Sequence, residues 1–202
     1  RSIIRARYGL NKDDFVISIF ARLEEYKGHK TLLEAAKICK RHYPSFKFFI
    51  VGDGRIKDDL IKYAKALKIE DTVYFTGFLA DVSKIFNVTD VNVNCSTLSE
   101  TSNLSLCEGM SLGIPCVASD CSGNPQMVEN AKNGLLFPTG NADALAECLM
   151  RLYRDKALYK KCSLGAYKRY KDDFSAHVMA EKMMTLYKNE YKKSRKSRKN
   201  PL

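Results

Sequence analysis

The chain has 202 residues, enough for one large domain or two small ones, and 45% of them are hydrophobic, so a sizeable core can form. It has no run of eighteen apolar residues, which excludes a membrane-spanning helix, and the opening RSIIRARYGL lacks the apolar stretch of a signal peptide. The formal net charge is +11, of which residues 188–200 (seven Lys/Arg against one Glu) supply +6 and the rest of the chain +5.

Apolar β-rich runs alternate with helical patterns along most of the chain. FVISIFA (15–21) predicts a strand, and TLLEAAKICKRHY (31–43) an amphipathic helix with Leu32, Leu33, Ala36 and Cys39 on one stripe, stopped by Pro44-Ser45. FKFFIVG (46–52) is a second strand, closed by Gly52-Asp53-Gly54. A helix over about 56–67 follows, with Leu60, Ile61, Ala64 and Leu67 inward. TVYFTGF (72–78) is a third strand, and 81–86 a short helical turn with Asp81 as its N-cap. DVNVNCS (90–96) alternates as a fourth strand. A helix spans about 103–112, IPCVASD (114–120) is a fifth strand, and GLLF (134–137) a short sixth. Beyond Asn141 the period is helical to about Tyr191. The expected organisation is one domain over residues 1–187, then a basic, disordered tail over 188–202. The sharper reading of the tail is contact with an anionic membrane face or with nucleic acid. The missing initiator Met suggests a piece of a longer protein.

Strands alternating with helices argue an α/β fold with a doubly wound, Rossmann-like parallel sheet. The common strand order 3-2-1-4-5-6 sets strands 1 and 4 side by side, and ligands bind beyond their carboxyl ends. Functional residues should therefore follow those two strands. Strand 1 runs into ARLEEYKGHK, which holds Arg22 and Lys27. A flat guanidinium fork and a mobile ammonium suit a diphosphate, but a solvated basic loop paired with Glu24 and Glu25 fits the same letters. Strand 4 runs into SETSN, with Glu100 in the loop and Glu108 inside the next helix. That helix's first amides can receive an anion, and a carboxylate beside hydroxyls suits a ribose or sugar ring. Glu108 is expected beside the buried stripe, from its neighbours Leu104, Cys107 and Ser111.

Other chemistries find little support. Gly52-Asp53-Gly54 has no third glycine in place, so as a dinucleotide fingerprint it is weak, and no P-loop pattern occurs. The seven Cys form no C-x-x-C pair and the three His are scattered, so no metal site is expected, and reduced thiols point to the cytoplasm. Two alternatives stand beside a crevice for a diphosphate and a sugar ring: a nucleotide-sugar enzyme such as an epimerase or a phosphorylase-like enzyme, and a non-catalytic nucleic-acid-binding domain driven by charge. No aromatic-basic interleaving favours the last.

ARLEEYKGHKTLLEAAK, IVGDG, YFTGF, SETSNLSLCEGMSLGIPCVASDCSGNPQMV and NGLLF, in this order over about residues 10–155, closely resemble the carboxyl-terminal domain of family-4 retaining glycosyltransferases of the GT-B fold. The Glu-x7-Glu signature is Glu100 and Glu108. The resemblance implies a donor-binding domain for a nucleotide-diphosphate sugar, with no other cofactor and no metal. Arg22 and Lys27 would hold the diphosphate, and Glu100 the donor sugar. Glu108 would bond the ribose, the amides of Asn103 and Leu104 the phosphates, and Phe78 and Leu79 would edge the base. The Gly123-Asn124-Pro125 turn matches a structural loop. Two departures bear on the donor: Ala21 stands where the family commonly has Gly, and Thr101-Ser102-Asn103 where Gly-Phe-Gly often follows the first Glu. The implied partners are a glycan or lipid-linked acceptor and an amino-terminal acceptor-binding domain, and the basic tail would suit an inner membrane face. No nucleic acid is implied. The chain alone is expected to bind donor weakly and to transfer nothing.

Overall fold

The computed structural model describes residues 1–98 and 103–199, the last six of these as backbone only. Six parallel strands form one sheet: β1 (Phe15–Phe20), β2 (Phe46–Val51), β3 (Val73–Gly77), β4 (Val91–Asn94), β5 (Cys116–Ser119) and β6 (Gly134–Phe137). Their order is β3-β2-β1-β4-β5-β6. The direction of winding reverses between β1 and β4, where Ile17, Ser18 and Ile19 lie opposite Val91, Asn92 and Val93.

Covering both faces of a sheet demands apolar residues at odd and even positions alike. The strands meet that demand by alternating between cores. Phe15, Ile17 and Ile19 of β1, with Phe46, Phe48 and Ile50 of β2, face a large core shared with helices α2 (His29–His42), α3 (Lys57–Ala66) and α7 (Ala142–Arg154). Val16 and Phe49 face the opposite side, against α1 (Ser2–Arg7) and the short α4 (Ser83–Phe86). Cys116 and Ala118 of β5 face that same side further along, under α5 (Leu104–Ser111), α6 (Asn124–Met127) and α8 (Lys156–Arg169). The expected stripe on α2 is present: Leu32, Leu33, Ala36 and Cys39 are fully buried, each Leu contributing about 1.5–3 kcal/mol by leaving water.

Several details differ from the sequence reading. Helix α1 carries no buried residue, so no apolar stripe announced it. Asp81 is not the residue at the N-cap of α4. That position is Val82, and Asp81 acts from one place further out, its Oδ1 accepting from Ser83 N at 3.0 Å. The helical region after Asn141 divides into α7, α8, a π-helical turn (Tyr170–Phe174) and α9 (Ala176–Lys199). Asn141 and Asp155 cap α7 and α8 by accepting from Ala144 N and Leu158 N. The tail boundary expected at residue 188 falls inside α9, which runs as far as Lys199. Lys, Arg and Glu are good helix formers, and no Gly or Pro interrupts the run before Pro201.

Candidate functional site

The loop after β1 is built to bring two cations back over the sheet. Arg22 follows β1 by two residues, and Glu25–Lys27 form a single 3-10 turn that ends at Gly28. Gly28 adopts φ +69°, and a Cβ there would stand 1.9 Å from the carbonyl oxygen of Cys95. Only glycine fits, and the close approach fastens the β1 loop against the end of β4. Thr97 N donates to Tyr26 O at 2.8 Å across the same seam. On the other flank, Leu23 N donates to Asp53 O at 2.9 Å and Arg55 pairs with Glu24 at 2.8 Å. Glu25 pairs with Lys30. The alternative of a basic loop neutralised by Glu24 and Glu25 thus loses ground, because both carboxylates have cations further along the chain.

Helix α5 starts across the seam. Asn103 is its N-cap, with Oδ1 accepting from Leu106 N at 3.1 Å and from Ser105 Oγ at 2.7 Å. The Asn103 amide, expected with that of Leu104 to meet the phosphates, instead donates to Met127 Sδ at 3.4 Å. The cap serves the Leu106 amide, so the amides of Leu104 and Ser105 remain at the open end of the helix, where intrahelical acceptors do not exist. The first turn holds no acidic residue to offset the positive end of the dipole.

These two constructions meet. Arg22, Lys27, Asn103, Leu104 and Ser105 line one open cleft of about 380 Å³, floored by Ala21. Two fixed positive charges and a helix amino terminus face one volume at the reversal point of the sheet, an arrangement suited to a bound polyanion. A larger cavity, of about 740 Å³, lies at the amino-terminal ends of β1 and β4, beside Phe15 and Asp90, at the opposite end of these strands from the cleft.

The other expected site residues are placed unevenly. Glu100 lies outside the described residues. Glu108 was expected beside the buried stripe. It is exposed, as is Leu104 at 74%, because the buried face of α5 is Leu106, Gly109 and Met110. Leu104 and Glu108 share one helix face four residues apart, which sets Glu108 one turn beyond the cleft. Local desolvation raises its carboxyl above the ordinary glutamate range. Phe78 follows β3 and is 77% exposed, while Leu79 packs into the core under α1 and α4. Neither lines the cleft, and β3 is the edge strand, two places from β1. The Asn124 of the Gly-Asn-Pro turn is fully buried and donates from Nδ2 to Asn94 Oδ1, Ser119 O and Ser119 Oγ at 3.0–3.1 Å. It ties the ends of β4 and β5 together, as a structural loop would.

The family described as glycosyl transferases group 1 matches over residues 1–169. The chain belongs to this glycosyltransferase family. Among its relatives, an Escherichia coli galactosyltransferase acting with UDP-Gal on α-D-GlcNAc-diphosphoundecaprenol is 32% identical over 153 residues, 74% of this chain and 39% of its own. The structure of HepE from Anabaena in complex with UDP-glucose superposes with a TM-score of 0.86 at 25% identity, over 93% of this chain and 52% of that one. The carboxyl-terminal domain of LpcC, a group 1 transferase from Francisella tularensis, matches in fold with a TM-score of 0.78, covering 87% of this chain and 93% of that domain. The chain spans about two fifths of the length of curated relatives such as the E. coli enzyme. This glycosyltransferase chain is therefore one Rossmann-like half of a GT-B fold, the carboxyl-terminal one.

Two residues beside the cleft escaped the sequence reading. His29 was counted as scattered, yet it is 1% exposed and its Nε2 lies 3.0 Å from Arg22 O. A carbonyl only accepts, so Nε2 carries a proton and donates it. Burial, with Lys27 adding to it, holds His29 below the ordinary histidine value. The second is Tyr26, whose hydroxyl lies 3.1 Å from Arg22 Nη2. Its place, four residues after one site cation and one before the other, is the signal that could have found it.

Proposed function

We propose that this chain is the donor-binding half of a retaining glycosyltransferase. The full protein moves a sugar from a nucleotide-diphosphate sugar to a glycan or lipid-linked acceptor, in surface polysaccharide or glycolipid synthesis. The observation that carries this reading is the shared cleft of Arg22, Lys27 and the amino end of α5. HepE with UDP-glucose supports it from the side of the ligand, and the E. coli relative from that of the acceptor.

The chemistry follows from where charge develops. As the bond from the anomeric carbon to the diphosphate breaks, negative charge grows on the departing phosphate oxygens. Arg22 offers a planar fork, Lys27 a point charge, and Leu104 and Ser105 their amides. All are in position before the reaction begins, which is what makes such stabilisation effective. Together they supply what a divalent metal supplies elsewhere. Glu108 on the exposed face of α5 would bond the ribose, Glu100 the donor sugar, and Phe78 and Leu79 would edge the base.

The acceptor would sit on an amino-terminal half. Met179, Met183, Leu186 and Tyr187 form an exposed stripe at i, i+4, i+7 and i+8 on α9, the kind of face that packs on another body. The basic end of that helix, including Lys188, Lys192 and Lys193, would lie against an anionic cytoplasmic membrane face. Family membership replaces the charge-driven nucleic-acid reading. The test is sugar transfer by the full-length protein: Arg22→Ala or Lys27→Ala should slow it by about 10²-fold or more, as loss of one charge-stabilising donor does elsewhere. Near-normal turnover in both variants would reject the reading.

A further inference from the structure

The geometry points to Tyr26 as the positioning residue that holds Arg22 and Lys27 in their working arrangement before any donor binds. This rests on the proposed diphosphate role of those two cations. Two like charges on long side chains lining one cleft repel each other, and Arg22 is exposed to solvent. Left alone, each would sample many rotamers, and a ligand would have to order both. Tyr26 touches the two. Its hydroxyl oxygen accepts from Arg22 Nη2 at 3.1 Å. Its ring carries the Lys27 ammonium, with Nζ 5.0 Å from the centroid, in the range of cation–π attraction.

Tyr26 can act as a clamp because its own frame is fixed. Its carbonyl accepts from Thr97 N at 2.8 Å and Thr97 Oγ1 at 3.4 Å, which secures the 3-10 turn to the loop after β4. The Arg22 main chain is held separately, by the His29 ring at 3.0 Å. The phenol therefore governs the side-chain direction of Arg22 and not its backbone.

The experiment is calorimetric titration of the chain with UDP, GDP and ADP, continued with the tightest-binding diphosphate and its parent nucleoside. Tyr26→Phe keeps the ring under Lys27 and removes only the acceptor for Arg22. It should weaken the diphosphate roughly 3- to 10-fold, the worth of one hydrogen bond, and leave the nucleoside unchanged. Tyr26→Leu removes both contacts and should weaken the diphosphate further. In an Arg22→Ala background Tyr26→Phe should have no added effect, since the hydroxyl then has nothing to hold. A merely structural role would weaken nucleoside and diphosphate alike, and that result overturns the proposal. If Arg22→Ala weakens the diphosphate and Tyr26→Phe does not, the clamp alone is wrong. If no diphosphate binds, or Arg22→Ala leaves binding unchanged, the donor-site reading fails and the clamp with it.

Discussion

Gly28 is the residue on which the seam between β1 and β4 turns, and Gly28→Ala is the substitution whose cost can be worked out most directly. Two effects add. The residue sits at φ +69°, where an L side chain costs about 1–2 kcal/mol. The new methyl would also stand 1.9 Å from Cys95 O, with the Cys95 carbonyl carbon at 2.8 Å, both backbone atoms that cannot rotate away. Forcing the β1 loop off β4 to relieve such overpacking costs about 1–3 kcal/mol more. The sum, about 2–5 kcal/mol, lowers the melting temperature of a domain this size by roughly 4–20 °C. Gly140→Ala is the control. It shares the left-handed backbone, at φ +76°, but a Cβ there meets nothing within 4 Å. It should show the first effect alone, about 1–2 kcal/mol. Thermal denaturation of both variants by circular dichroism measures the difference. Equal losses would mean that the approach of the β1 loop to Cys95 does not constrain the seam, and the argument for the site's geometry would fail.

Three further outcomes follow from particular groups. His29 is held neutral in the fold with its pKa below the unfolded value of 6.5, so the unfolded chain takes up the proton first as pH falls. Stability should therefore drop as pH goes below about 6.5, down to the lower folded value. His29→Gln, which retains a donor for Arg22 O, should flatten that part of the pH–stability curve, and an unchanged slope would refute the assignment. Asn103→Ala removes the acceptor for Leu106 N and should cost about 0.5–2 kcal/mol in denaturant melts, with weaker nucleotide-diphosphate binding as the start of α5 frays. In the full-length protein, EDTA should leave the transfer rate unchanged if Arg22, Lys27 and the helix amides do the work of a metal; loss of activity restored by a divalent cation would contradict this.

The sheet was legible because each strand had to be apolar on both faces. FVISIF carries no charge and FKFFIV only Lys47, which is not fully buried, and Pro44 and the glycines punctuate the two runs clearly. The strand order followed from the handedness of the crossovers. The site was half legible. Arg22 and Lys27 fall where a doubly wound sheet opens, so position in the fold pointed to them before any resemblance did. Leu104 misled, because an apolar letter in a helix reads as core; here it fills the wall of the cleft, and the buried stripe begins two residues later at Leu106. That error also moved Glu108 inward. Tyr26 and His29 were hidden for another reason. Their roles come from contacts with the main chain and side chain of Arg22, made when the 3-10 turn folds back, and no periodicity encodes such a turn. The π-helical turn at Tyr170–Phe174 is likewise stabilised from outside its own stretch: Arg169 pairs with Asp173 at 2.6 Å, reaches Gln126 O at 2.7 Å, and lies over Phe174. Such long-range anchoring leaves no local mark beyond a charged run.

The most direct test of the whole account is a thermal-shift titration of this chain with UDP-, GDP- and ADP-sugars, run beside the Arg22→Ala/Lys27→Ala double variant. At a hundredfold excess over its dissociation constant, a bound donor stabilises the fold by about 2.7 kcal/mol. For a domain of this length that is a rise of roughly 5–10 °C. We expect one nucleotide series to give that rise in the parent chain and none to give it in the double variant. A rise of the same size in both would place the donor somewhere other than the cleft between the β1 loop and α5.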